Sequence, residues 1–268
     1  CTRIEHVQHV ESVSNTIAKE LGLNEELTRA IAIAHDLGHA PFGHQGEDVI
    51  KRLTQKYLEK DFWHEQNGVY FVDDVELLED NEKKFRNLDL TYAVRDGIIS
   101  HCGEVDENGL KPREECIDLE EYKLPNQYAP YTWEGCVVKI ADKISYLGRD
   151  IEDAITLGIL DKKLEELYKI LQSKEVINNT VIIHHLIQDL CQNSSVEKGL
   201  CFSDETFKLL KEIKDFNYKH IYFCDKIKPS SRYFNIVINE IYAILKNIYD
   251  GENTLNNMEN IKKIYPEV

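Results

Sequence analysis

The sequence predicts an all-α protein. Apolar residues recur at steps of three and four along most of its 268 residues, and Gly or Asn punctuates the periodic stretches as helix stops and caps. Alternating apolar and polar residues of any length are missing, apart from a short ribbon expected within residues 103–133. With 42% hydrophobic and 9% aromatic residues the chain can bury a substantial core, enough for one large domain or two small ones.

The first helix is expected over residues 6–21, where Val10, Val13, Ile17 and Leu21 share a face. His6 lies four residues before Val10 and continues that face, with Arg3 one turn earlier. Gly22 stops this helix, and Asn24 caps a second whose Leu27, Ala30, Ile31 and Ala34 lead to His35. Gly38 reads as its stop and Pro41 as the bar to its resumption, so residues 39–47 are expected as a tight loop folded back over the helix end. A helix follows over residues 49–58, then a loop over 62–66, then amphipathic helices over 69–78 and 91–101.

From Gly103 to Trp133 the pattern breaks around Gly109, Pro112, Pro125 and Pro130, which reads as a lid or pocket wall. Helical order returns at Val137. Ile140, Ala141, Ile144, Leu147 and Ile151 form an apolar stripe, beside a face bearing Asp142, Tyr146, Arg149, Asp150 and Asp153. Further helices are expected over residues 160–171, 176–191 and 204–223, and from a Ser230 or Ser231 cap to Gly251, followed by a solvated tail. The chain thus divides into a core over residues 1–158 and a helical C-terminal extension over 159–268.

The stretch from Ala34 to Glu47 concentrates chemistry: His35, Asp36, His39, His44 and Glu47 directly follow an apolar helical run. Adjacent His35 and Asp36 diverge by about 100° on a helix end and can grip one cation from its last turn. His6, and Asp142 as the carboxylate best placed on a distant helix, would complete a set of two imidazoles and two carboxylates. Such mixed ligation suits Mn, Mg, Fe, Ni or Zn, and a water on the metal becomes a nucleophile near neutral pH. His44 reads as a residue that holds the turn, and His101 as either a pocket residue or a partner of the helix C-terminal dipole.

The formal charge of −16 argues against a general nucleic-acid or anionic-membrane surface, so an anionic substrate needs a local positive centre, which a divalent cation supplies. No apolar run approaches the roughly 18 residues that span a bilayer. The seven cysteines are scattered without a C-x-x-C pair, as expected of free thiols in a reducing cytoplasm. Cys1 stands where an initiator Met would, so the sequence reads as lacking its natural N-terminus.

The ordered motifs Arg3-Ile4-Glu5-His6, His35-Asp36-Leu37-Gly38-His39 with Pro41-Phe42-Gly43-His44, His64-Glu65-Gln66, and Asp142-Lys143-Ile144-Ser145-Tyr146 with Arg149-Asp150 resemble those of the HD-domain deoxynucleoside triphosphate triphosphohydrolases. That group includes bacterial dGTPase-like enzymes and the animal SAM-and-HD-domain dNTPase. The resemblance covers residues 2–158 and implies an HD-domain helical fold. Lys143 follows the animal pattern where many bacterial members carry a second Asp, and Glu47 stands where the animal enzyme has Asp.

The resemblance implies one divalent metal per site, held by His6, His35, Asp36 and Asp142, and hydrolysis of a deoxynucleoside triphosphate at the α-phosphorus to deoxynucleoside and inorganic triphosphate. It assigns His64 as the acid for the departing oxygen, Glu47 as the carboxylate orienting it, and His39 as an α-phosphate contact. Arg3, Lys143 and Tyr146 would bind phosphate oxygens, and Asp150 the sugar 3′ hydroxyl. It also implies a homo-oligomer and a regulatory nucleotide as partners. The alternatives are a phosphomonoesterase acting on nucleoside monophosphates and a nucleotide-binding regulatory module without turnover.

Overall fold

A computed structural model describes residues 2–103, 108–160, 164–171 and 179–249. Among them are ten α-helices, and no helix is long and apolar enough to cross a membrane. They form two compact units: residues 1–39 with 63–226, and residues 40–62 with 227–268. The sequence boundary at residue 158 therefore falls inside the first unit.

The first unit is built around helix α6 (Trp133–Thr156), capped by Thr132, whose hydroxyl accepts from the Gly135 N–H. Its Val137, Val138, Ile140, Ala141, Ile144, Leu147 and Ile151 are buried, and each large aliphatic side chain there contributes roughly 1.5–3 kcal/mol. Helices α1 (Arg3–Leu21) and α5 (Tyr92–Ser100) each pack on α2 (Glu25–Ala34), and all three pack on α6. Helices α8 (Asn179–Asn193) and α9 (Asp204–Asn217) also pack on α6, and α7 (Leu164–Ile170) packs on α9.

Several expected boundaries shift for local reasons. Helix α1 starts at Arg3 rather than His6, because Thr2 and Glu5 close a reciprocal capping box. His64 opens a helix, α4 (His64–Tyr70), instead of sitting in a loop. The helix expected over residues 69–78 ends early: a single π-turn (Phe71–Val75) leads into a two-stranded ribbon that pairs Leu78 with Arg86 and Glu79 with Phe85. Asp80 fixes the ribbon's turn, its carboxylate accepting from the backbone of Glu82 and Lys84 and from Arg86 at 2.5 Å. That is where the ribbon lies, not within 103–133. The described part of 103–133 holds a bridge from Leu110 to Leu200 and one 3₁₀ turn (Leu119–Glu121).

The same segment is anchored by a buried ion pair. Arg113 donates to Asp96, to the Ala129 carbonyl at 2.7 Å and to Tyr92 Oη at 2.6 Å, and Asp96 also accepts from the Tyr131 N–H at 2.7 Å. Helix α9 ends at Asn217 in a second π-turn (Tyr218–Tyr222) rather than running to residue 223. The expected helices over 160–171 and 176–191 fall partly outside the described residues, as does the tail beyond Tyr249.

The second unit pairs α3 (Gly43–Leu58) with α10 (Lys228–Ile248). Phe42 stacks on Phe234 at 4.2 Å between centroids, Gln45 accepts from Ser231 at 2.9 Å, and Arg52 donates to Asn235 at 3.1 Å. Helix α3 starts at Gly43, so the expected loop over residues 39–47 ends five residues sooner and His44 and Glu47 are helical. Gly46 permits this, because a Cβ there would lie 1.7 Å from the Pro41 carbonyl oxygen. Helix α10 begins at Lys228 with Pro229 in its first turn, which displaces the expected serine cap.

Candidate metal and phosphohydrolase site

Four side chains from three helices of the first unit meet over the C-terminal end of α2. His6 comes from α1, Asp142 from α6, and His35 with Asp36 from the turn that closes α2. His6 Nε2 lies 3.0 Å from Asp142 Oδ1 and 3.6 Å from Asp36 Oδ2. His35 is fully buried, and its Nδ1 sits 2.7 Å from the Ala32 carbonyl. A carbonyl only accepts, so Nδ1 carries the hydrogen and Nε2 presents its lone pair. That Nε2 is buried without a hydrogen-bond partner, 3.5 Å from Asp36 Oδ2 and 3.9 Å from Asp142 Oδ1.

An imidazole lone pair aimed at two carboxylates is repulsive unless a cation lies among them. The ring nitrogens of His6 and His35 and one Asp142 oxygen lie within 4.8 Å of one another. The donor set fits a divalent metal, and these are the residues that would hold it.

The charges point the same way. Burial opposes ionisation of Asp36, but electrostatic interaction with the facing His35 and His101 rings and with the Arg3 guanidinium outweighs it and holds its pKa well below the usual carboxylate range. Asp142 is lowered likewise, against burial, by its hydrogen bond to His6 and by electrostatic interaction with the His35 ring. Burial pulls His6 down, yet the Asp142 hydrogen bond and the Asp142 and Asp36 charges win and raise it. Because its folded pKa exceeds the ordinary 6.5, the His6 pairing stabilises the metal-free chain fully below that pH and is lost as pH rises through the folded value. A metal takes the same Nε2. Calorimetry of metal binding in buffers of differing ionisation enthalpy should therefore show a proton released from His6 below its pKa, vanishing above it. Proton release independent of pH would separate His6 from the ligand set.

His64 and His39 approach this cluster as a stacked pair, with ring centroids 4.2 Å apart and planes 16° apart. Two glycines place His64. A Cβ on Gly38 would lie 2.1 Å from both the His64 carbonyl oxygen and the Gly68 nitrogen, so the turn after α2 presses directly on the backbone of α4. Asn67 clamps the contact, its Nδ2 donating to the Gly38 carbonyl at 2.9 Å. Gly38 thus serves close approach and not the expected left-handed helix stop; the positive-φ glycines do not include it. Gly38→Ala is expected to cost about 1–3 kcal/mol in urea unfolding and to displace His64, lowering turnover more than metal content.

The other sequence-assigned residues lie along α1 and α6, or apart. The Arg3 guanidinium donates to Asp36 rather than standing clear as a phosphate contact. Lys143 and Tyr146 line a cavity of about 30 Å³ together with Lys211, Lys214, Phe202 and Phe207. Asp150 accepts from the Tyr222 hydroxyl; burial raises its pKa over the opposing pull of that bond. Glu47 lies on α3 in the second unit, where its carboxylate sits 3.5 Å from His44 Nδ1. His44 is thus an exposed first-turn residue of α3.

Sequence reasoning understated His101. It repeats the His35 arrangement: each follows the last residue of its helix, each is buried, and each has Nδ1 2.7 Å from the carbonyl three residues back. His101 Nε2 faces Asp36 Oδ1 at 3.9 Å, and its ring lies 4.9 Å from that of His35 and 5.5 Å from that of His64. Burial, then the His35 and His64 charges, bring its pKa down to about 3, so it is a neutral donor at pH 7. The signal was the apolar run ending in histidine, Ile98-Ile99-Ser100-His101, which parallels Ile31-Ala32-Ile33-Ala34-His35. Tyr222 left no such signal.

The HD domain family matches residues 3–147, a segment that contains every residue of this cluster. The chain belongs to the HD-domain family. Curated relatives agree along most of its length. A deoxyguanosinetriphosphate triphosphohydrolase-like protein of Caldanaerobacter subterraneus is 33% identical over 90% of this chain and 61% of its own. Proteins of the same name from Desulfatibacillum aliphaticivorans and Thiobacillus denitrificans are each 31% identical, over 94% and 90% of this chain and 68% and 69% of theirs. This HD chain therefore spans 61–69% of the length of these relatives. The His6, His35, Asp36 and Asp142 cluster, with His35 and Asp36 buried, is the part of this HD domain that suits a divalent cation.

Proposed function

We propose that this HD domain hydrolyses deoxynucleoside triphosphates to deoxynucleoside and inorganic triphosphate, with water attacking the α-phosphorus. The observation that carries the proposal is the single line of chemistry along α6: Asp142 in the cation cluster, Lys143 directly after it, Tyr146 one turn on and Asp150 a further turn beyond. The names of the relatives support the substrate class. Bound among His6, His35, Asp36 and Asp142, a divalent metal supplies Lewis acidity toward phosphate oxygens and lowers the pKa of water.

The chain's own residues do the rest. His39 contacts the α-phosphate, and His64 gives a proton to the departing 5′ oxygen. Lys143, Tyr146 and Arg3 offset the phosphate charge, Arg3 exchanging its hold on Asp36 for a phosphate oxygen. Asp150, held by Tyr222, accepts from the sugar 3′ hydroxyl. Arg3, Lys143 and Tyr146 together, in a chain of net charge −16, favour a multiply charged tail over a monophosphate. A cytoplasmic homo-oligomer that responds to a regulatory nucleotide belongs to the same reading.

The test is incubation with each dNTP and rNTP in Mg²⁺ or Mn²⁺, with both products identified by chromatography. Inorganic triphosphate and a deoxynucleoside are expected. Orthophosphate or pyrophosphate as the sole inorganic product would overturn attack at the α-phosphorus.

A further inference from the structure

Next to the HD cluster lies a second group of ligating side chains. One ring nitrogen each of His64 and His101 and the Cys102 sulfur lie within 4.8 Å of one another. Glu65 adjoins them, its Oε2 3.5 Å from His64 Nδ1. This carboxylate is 1% exposed, and neither oxygen has a hydrogen-bond partner. A buried carboxylate that accepts no hydrogen bond costs several kcal/mol and draws positive charge, from a protonated His64 at 3.5 Å or from a bound cation.

The nearby ammonium cannot supply hydrogen bonds to it. Lys139 has three N–H donors, and they go to the Ser100 carbonyl at 3.1 Å, the Cys102 carbonyl, and Asn126 Oδ1 at 2.9 Å. Those bonds hold the backbone on either side of His101, fixing the turn that carries His101 and Cys102. His101 commits Nδ1 to the Ile98 carbonyl and keeps Nε2 available.

We propose that His64, His101, Cys102 and Glu65 form a second cation site, selective for a thiophilic dication of the zinc class, and that its occupation inhibits the enzyme by taking the lone pair of His64. Two imidazoles, a thiolate and a carboxylate are a zinc-type donor set, whereas the HD cluster offers no sulfur. Charge balances: the sulfur–metal bond forms as the thiol proton leaves to water, and thiolate plus carboxylate neutralise the dication. Tetrahedral zinc brings its ligand atoms to about 3.3–3.8 Å from one another, so His64, Cys102 and Glu65 would each have to turn toward His101 on binding it. The binding claim stands without the proposed reaction, whereas the inhibition rests on it.

The experiment uses the full chain loaded with Mg²⁺, reduced and anaerobic, and titrated with Co²⁺. One equivalent should produce thiolate-to-cobalt charge-transfer absorption, removed by Zn²⁺, absent in Cys102→Ser and retained in Asp142→Asn. No band in the wild-type chain, or an undiminished band in Cys102→Ser, overturns the site. Independently of any variant, Zn²⁺ should protect Cys102 from iodoacetamide in peptide mass mapping; unchanged labelling overturns it equally. In the triphosphate-release assay, Cys102→Ser should need at least tenfold more Zn²⁺ for half-inhibition. Equal sensitivity with the band present overturns the inhibition alone, and a chain without triphosphatase activity still reports the site through its cobalt spectrum.

Discussion

Asp142→Asn is expected to strip the HD cluster of its metal and reduce turnover at least about 100-fold, since loss of even an outer-shell partner costs 10- to 100-fold. Asp142 is the one cluster carboxylate that no described arginine shares; Asp36 also receives the Arg3 guanidinium. Without its charge, His6 loses its 3.0 Å partner and a dication faces two imidazoles with a single, already shared carboxylate. Asparagine keeps the shape, and the core side of α6 is untouched, so helicity should hold, while the unfolding midpoint falls with the loss of the His6 pairing and of the metal. Metal analysis after exhaustive dialysis reads the outcome. Full occupancy in Asp142→Asn would remove Asp142 from the ligand set.

His64→Gln should separate chemistry from metal binding. Loss of a positioned proton donor is worth about 10²- to 10⁴-fold in turnover, while metal content should match the wild-type chain, because His64 is not among the four residues around the cation position. The pH dependence of turnover should change as well, losing the limb that reports the protonated acid. A decrease of only a few-fold would reduce His64 to a packing partner of His39, with which it stacks. Emptying of the HD cluster in His64→Gln would show that its effect passes through the metal.

Much of the site was legible because its residues sit at positions that local rules already mark. His35 ends an apolar helical run capped at Asn24, and Asp142 borders an apolar stripe, so periodicity alone aims both at one interior. The motif spacing carried the family. Gly38 was noticed for the wrong reason: the expected left-handed stop depends on backbone angles, whereas its actual service, contact with the backbone of α4, depends on a segment 30 residues away. The helix over residues 69–78 failed because apolar spacing cannot register a π-turn or a ribbon turn built on Asp80. Serine at 230 or 231 lost the cap of α10 to Pro229, which favours the first helical turn.

By itself, then, the sequence determined the helical class, the capped and periodic elements that place His6, His35 and Asp142 on inward faces, and the motif set of the HD family. These are properties of residue type and of spacing along one helix. Only the tertiary structure decided that His35 Nε2 is buried without a partner, that Lys139 spends all three donors beside a Glu65 that accepts no hydrogen bond, that Tyr222 meets Asp150, and that His101 doubles the geometry of His35. Each of these depends on atoms far apart in the chain and on how water is excluded between them, and neither composition nor periodicity encodes a desolvated distance.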